Sequence, residues 1–320
     1  MKGKPIRTTL LLTILFLASI TVTGNTQAEH ITSPNNEKQI ITVDKNGEGD
    51  YTTIQEAVSN AQEGSTIYIK TGTYNEIINI KKNINLIGED KDKTIINPIS
   101  EKNKYAIRVG APDVKISKLS VINGAPGLYT TGIYISASNT EIEDCNIYDT
   151  PIGIAVWTSN NNINNCTFWN CKDEGIALLG SRYSKCDNNR ITKCVFYNNC
   201  DGIELQYSSN NIISDCKFYQ NSHMGIDAIA SSNNGNIIQN CEIHNNTVNG
   251  IYLSSSSNNK IIDCLISNNG DGNIVITKNS YNNEIVNTEP IISYKENNFR
   301  KRIFDRLSHI KTLIHVLANF

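Results

Sequence analysis

The sequence predicts an all-β fold: a right-handed single-stranded parallel β-helix, or solenoid, with a short N-terminal capping helix and a C-terminal amphipathic helix. Three observations predict it. Gly-Ile pairs recur with their glycines at Gly132, Gly153, Gly175, Gly202, Gly225 and Gly250, spaced 21 to 27 residues apart, and "GNIVIT" from Gly272 is a degenerate seventh copy. Cysteines keep step at Cys145, Cys166, Cys194, Cys216, Cys241 and Cys264, each followed eight or nine residues later by the next glycine. Apolar residues then alternate, as in Ile133/Ile135, Ile176/Leu178, Ile203/Leu205 and Cys216/Phe218. Period two places one face inside and one outside, which is a strand rather than a helix.

A repeat of this length with two or three short strands is one coil. A single coil cannot bury its inner face, so coils stack on one another. Equivalent residues then lie about 4.8 Å apart up the stack. Isoleucine falls on isoleucine and cysteine on cysteine, with the glycines read as turns. Asparagines in "SNNN", "YNNC", "SSNN" and "HNN" mark the corners, where they can form side-chain ladders.

Taken in order, residues 1–28 read as a signal peptide. Lys2, Lys4 and Arg7 precede an apolar run from Leu10 to Val22 and a small residue at Ala28. The other reading is a single membrane anchor, for which the run is short. Cleavage there places the mature chain outside the cytoplasm, secreted or at the cell surface. Residues 29–39 are a linker and 40–290 the solenoid. In "DYTTIQEAVSNA", Ile54, Ala57, Val58 and Ala61 share one helical face, and Thr53 with Glu56 form a capping box. This helix is expected to cover the first coil. The net charge of −2 excludes the basic footprint of nucleic-acid binding. The ladder cysteines read as small inward fillers. Cys171, Cys186 and Cys200 lie off the ladder, and pairing of Cys171 with Cys200 stays open. The tail from 291 to 320 is basic, with Ile303, Leu307, Ile310 and Leu317 at helical spacing. It could cap the far end, lie on an anionic membrane surface or bind a partner.

"GDYTTIQEAVSNA", "STIYIKTGTYNE" and "NINLIGEDKDKTIINP" resemble the N-terminal part of pectin-lyase-like right-handed β-helix proteins, pectin methylesterases included. "NNIISDCKFYQN" and "NNKIIDCLISNN" resemble NosD-type β-helix repeats. Together these stretches cover about residues 40 to 290. The resemblance implies the scaffold. That scaffold hosts lyases, hydrolases, esterases, epimerases and non-enzymes. The "GYQDTLY", "DFIFG" and "GRPW" motifs of pectin methylesterases and the "DPHD" motif of alginate epimerases are absent from the sequence. NosD-type proteins are linked with copper-site assembly. No Cys/His cluster stands at chelating spacing in the sequence, so copper is not carried over.

Function is sought in outward columns that depart from the repeat. Three residues after successive ladder cysteines stand Tyr148, Trp169, Tyr197, Tyr219 and His244. Such rings suit stacking on sugars; plain strand preference or cover by another segment are the other readings. Tyr207 joins these substrate-binding candidates. Two residues after the glycines stand Glu204 and Asp227, where other coils carry alanine or tyrosine. Like charges on neighbouring strands persist if solvated, if one holds a proton, or if a cation bridges them. Asp173, Glu174, Asp201 and His223 lie just before their strands. Asp173, Asp201, Glu204 and Asp227 are candidate calcium ligands. Glu204, Asp227, Asp201 and His223, with Arg182 and Lys185 from the insertion "GSRYSKCDNNR", are candidate catalytic residues for a polyuronate lyase or glycoside hydrolase. The leading expectation is an exported protein that binds or processes an extracellular polysaccharide. The alternative is a non-catalytic surface or assembly protein.

Overall fold

The computed structural model describes residues 39–99, 104–127, 129–229, 232–288 and 292–295. The signal-peptide, linker and helical-tail readings lie, apart from these stretches, outside the described residues. Among the described residues, no helix is long and apolar enough to cross a membrane. The chain winds through three parallel sheets. Sheet A runs from Ile40–Val43 to Glu284–Val286, sheet B from Gly72–Tyr74 to Leu265–Ser267, and sheet C from Ile78–Ile80 to Ile292–Lys295. The last strand pairs in parallel with Gly272–Thr277, so the solenoid passes the expected boundary at 290.

The core is a set of ladders. Ile116, Ile142, Ile163, Ile191, Ile213, Ile238 and Ile261 stack inside sheet A, each almost wholly buried. Inside sheet B, Ile147 is followed in register by Phe168, Phe196, Phe218 and Ile243. The three phenyl rings lie nearly parallel, with centroids 4.8 and 4.7 Å apart. The six ladder cysteines are buried beside them, and none of the nine cysteines is in a disulfide. The open pairing of Cys171 with Cys200 is therefore not made. Their coils are joined instead by Cys200 N–H donating to the Cys171 carbonyl at 3.0 Å. Burial pushes the Cys186 thiol up to about 12 and holds Cys145 and Cys166 well above the ordinary range. Cys200 is half-buried, whereas the other eight are buried. A thiolate-directed reagent at mildly alkaline pH is expected to label Cys200 alone in the folded protein. Mass mapping of the labelled sites checks this.

The corners explain the asparagines. Asn210, Asp215 and Gln220 take left-handed φ of 56°, 57° and 56° within one coil, and Asn or Asp fills most equivalent positions. These residues tolerate that region best after glycine. Asparagines next to the left-handed corners, all buried except the half-buried Asn283, form two amide ladders. One joins Asn161, Asn189, Asn211, Asn236, Asn259 and Asn283, with Nδ2 donating to the next Oδ1 at 3.0–3.1 Å. The other joins Asn199, Asn221, Asn246 and Asn269 at 2.8–3.1 Å. Asn221 Oδ1 also accepts the Asn199 backbone N–H at 3.0 Å. Asn221→Ala is therefore expected to destabilise the solenoid by about 2–4 kcal/mol, because it orphans at least two buried polar groups. Urea denaturation measures this.

Two local readings are corrected. The recurring glycines are not turns: they lie within sheet C strands and have no positive φ. Their reason is space. A Cβ at Gly202 would meet Gly225 O at 2.5 Å and Phe218 Cδ1 at 2.6 Å. The capping box is also absent. Thr53 makes no side-chain cap bond to the helix Ile54–Asn60. Instead the Glu76 carboxylate, from the next turn of chain, accepts the Ile54 and Gln55 N–H groups at 2.8 Å each. Ile54, Ala57 and Val58 of that helix join the same core as Ile41, Ile67 and Ile78.

Candidate functional site

The glycine kink builds the site. Along a regular strand, Asp201 and Glu204 would face opposite sides. In sheet C the ladder steps over the glycine: Glu174 pairs with Asp201, then Ile176 with Ile203 and Ala177 with Glu204. The extra inward residue resets the alternation, as a bulge does. Asp201 and Glu204 therefore share the outer face. The same step places Ile152 beside Ala155 two coils earlier, in one apolar cluster with Ala177. Glu204 pairs in register with Asp227.

Glu174, Asp201, Glu204 and Asp227 thus form a block of four carboxylates on successive strands. They lie between two apolar clusters, Ile152, Ala155 and Ala177 on one side and Met224, Tyr252 and Val275 on the other. All four acids are at most 5% exposed, so the reading of Glu204 and Asp227 as a solvated polar face is corrected. A shared proton and a cation are both means of holding like charges side by side at a buried place.

Asp201 is the centre of the block. Its Oδ1 lies 2.8 Å from His223 Nδ1 and accepts the Met224 N–H at 2.8 Å. His223 is half-buried, while the Asp201 side chain is wholly buried. An imidazole that donates Nδ1–H to a carboxylate has Nε2 as its basic nitrogen. Carboxylate oxygens of Glu174, Asp201 and Glu204 all lie within 4.8 Å of one another. Glu174 takes the place expected for Asp173, which is half-buried at the corner and stands outside that group; Asp227 does too.

The cationic insertion leaves sheet C at the end of the strand opposite Glu174. Arg182, Tyr183 and Lys185 are exposed beyond the far end of the strand Glu174–Leu179. The Lys185 carbonyl accepts the Ser159 hydroxyl, and Ser181 closes a tight turn onto Ser184. The insertion begins at Gly180, beyond the end of the strand Glu174–Leu179 and about three residues, roughly 10 Å, past Ala177, the register partner of Glu204. Tyr207 lies at the same far end, in a left-handed corner after Asp201–Gln206.

The aromatic column is present on the outer face of sheet B, but its geometry changes its meaning. Tyr148, Trp169, Tyr197, Tyr219 and His244 stack on one another, with centroids 4.1, 6.0, 5.3 and 5.5 Å apart and planes within 8°. Apart from the outer faces of the end rings, the ring faces that would meet a sugar are spent on neighbouring rings. The column offers edges and hydroxyls instead, flanked by the Lys217–Glu242 ion pair at 2.8 Å. Tyr197 and Tyr219 precede Asp201 and His223 by four residues, so column and carboxylates flank one corner.

The sequence reading missed one association. Cys200 Sγ, an Asp201 oxygen and a His223 ring nitrogen lie within 4.8 Å of one another. Cys200 and His223 stand on different coils, so their separation in sequence has no chelating signature. The signal was the phase: Cys200 stands two residues before Gly202 and His223 two before Gly225. The two therefore meet on adjacent coils, and the His223 N–H donates to the Cys200 carbonyl at 2.9 Å.

Comparison with known proteins agrees with this architecture. A pectinesterase family matches residues 40–110. Probable pectinesterase 56 of Arabidopsis thaliana is 36% identical over 100 residues, which are 28% of this chain and 35% of that protein. Pectinesterase 2 of Citrus sinensis is 49% identical over 87 residues, 26% of this chain and 16% of that protein. The chain thus spans about a third or less of these relatives. Among solved structures, the A-module of mannuronan C-5 epimerase AlgE4 from Azotobacter vinelandii superposes with a TM-score of 0.61. It is 15% identical and is matched over 73% of this chain and 71% of its own, a likeness of fold. The right-handed beta helix region family matches residues 83–234 and 184–298. That match spans well over half of the chain, and the protein belongs to this family.

Proposed function

We propose that the protein is an extracytoplasmic carbohydrate-active protein that processes a polysaccharide, with a polyuronate as the favoured substrate class. The carrying observation is the Asp201–His223 pair, 2.8 Å apart, set into a buried block of carboxylates on an outer sheet face. The pectinesterase-like stretch supports the carbohydrate class. Asp201 fixes the imidazole tautomer and orientation, and His223 Nε2 removes a proton. In a polyuronate that proton is the one on the ring carbon next to the carboxyl group. Asp227, in register with Glu204 and outside the three-carboxylate group, is the proton-holding group for the leaving oxygen.

The oxygens of Glu174, Asp201 and Glu204 fit a hard divalent cation, which binds such donors at about 2.3–2.6 Å. Calcium held by these three would supply charge to meet a substrate carboxylate. Arg182 and Lys185 have no part in this reading. The aromatic column contributes ring edges and hydroxyls along the chain of a bound sugar.

The test is a panel of uronic-acid and neutral polysaccharides, incubated with the protein with and without calcium. Unsaturated product and reducing ends are followed. Unsaturated product from a polyuronate is expected. Reducing ends without unsaturation would indicate hydrolysis at the same carboxylates. No product and no binding across the panel would overturn the proposal in favour of a non-catalytic surface protein.

A further inference from the structure

We propose that Cys200, Asp201 and His223 form a binding site for a borderline-soft divalent transition cation of the zinc class, at the corner where sheet B turns into sheet C. The donors are a thiol, a carboxylate and an imidazole, all within 4.8 Å of one another. Three such ligands with a fourth position for water or a ligand make an open zinc site. Thiolate and imidazole favour zinc, cobalt or nickel over calcium and magnesium. The set therefore differs in kind from the all-oxygen group of Glu174, Asp201 and Glu204, which it meets at Asp201.

Cys200 breaks the rule its chain otherwise follows. The other eight cysteines are buried, six of them as rungs of one ladder, whereas Cys200 is half-buried. His223 beside it is 25% exposed. An ion can thus reach the site from solvent without opening the core.

The corner is also held in place before any ion arrives. Cys200 N–H donates to Cys171 O, and His223 N–H to Cys200 O. Asp201 Oδ1 is fixed by the Met224 N–H and by His223 Nδ1. The amide ladder from Asn199 to Asn221 runs alongside. A tetrahedral ion with bonds of about 2.0–2.3 Å sets its donors roughly 3.3–3.7 Å apart. Reaching that size moves the Cys200 and His223 side chains: the 2.8 Å pair of Asp201 Oδ1 and His223 Nδ1 opens and gives up its hydrogen bond, and binding releases the thiol proton to solvent.

This goes beyond the proposed function but shares Asp201 and His223 with it, so its test reads binding and not turnover. The full-length protein, stripped of metal, is titrated with Co2+ alone. One equivalent is expected to bind with a thiolate-to-cobalt charge-transfer band, and Zn2+ is expected to displace it. Cys200→Ser should abolish that band, and His223→Ala should weaken cobalt binding at least tenfold. A second measurement needs no variant: Zn2+ should slow alkylation of Cys200 at least tenfold. Absence of the charge-transfer band, its persistence in Cys200→Ser, or alkylation unchanged by Zn2+ would each overturn the site. Cobalt binding without carbohydrate turnover overturns the functional proposal and leaves the metal site. Turnover without cobalt binding does the reverse.

Discussion

Phe196→Ala is expected to destabilise the solenoid by about 3–5 kcal/mol, the range for emptying a fully buried phenylalanine site. Phe196 is wholly buried between Phe168 and Phe218, with ring centroids 4.8 and 4.7 Å away. Removing it unstacks both neighbours. It also leaves space next to Gly175, whose absent Cβ would have stood 2.7 Å from Phe196 Cδ1. The void cannot be filled by collapse of one coil, because the strands on either side are held in register. In a stacked repeat each coil depends on its neighbours. The loss should therefore appear as a lower denaturation midpoint for the whole central region. Phe196→Leu, which keeps most of the volume, should recover much of it. Equal stability for Phe196→Ala and the parent would contradict the ladder account of the core.

Asp201→Asn is expected to leave the fold nearly unchanged and to lower polysaccharide turnover by about 10²–10⁴-fold, the usual share of a positioned acid–base pair. The amide keeps the size of the side chain and an oxygen to accept the Met224 N–H, now made by the carboxylate at 2.8 Å. It removes the charge that holds the His223 tautomer. Because Oδ1 serves both contacts, the amide either presents its oxygen there, keeping the Met224 bond but losing the charge, or its nitrogen, which loses that bond and favours the wrong tautomer. Asp201→Ala is the poorer test, since it would also orphan the buried Met224 N–H. Urea denaturation alongside the assay separates the two effects.

Much of the fold was legible because a stacked coil repeats its demands. The Gly-Ile and cysteine spacings gave the coil, and the alternation after each glycine gave inward and outward faces. The amide ladders follow from asparagine runs at the same phase. The adjacency of Glu204 and Asp227 was legible for the same reason, and the structure pairs them in register. Other features depend on three-dimensional detail that spacing does not carry. The kink at Gly202 decides that Glu174 and Asp201, rather than Asp173, flank Glu204. The common phase of Cys200 and His223, each two residues before its glycine, brings them together although they are far apart in sequence. The path of the inserted loop, tied to the previous coil by the Ser159 hydroxyl on the Lys185 carbonyl, is another such detail. The aromatic column was correctly placed by its phase, but the mutual stacking of its rings follows from strand spacing close to ring thickness. Stacking makes the column a strip of edges.

The central claim is that the His223–carboxylate block on the outer face of sheet C does the chemistry. The most direct measurement compares initial rates of product formation from a polyuronate for the parent, His223→Gln and the double variant Arg182→Ala/Lys185→Ala. A rate reduced at least a hundredfold in His223→Gln, with the double variant near the parent, is the predicted result. Full activity in His223→Gln, or loss confined to the double variant, would contradict it.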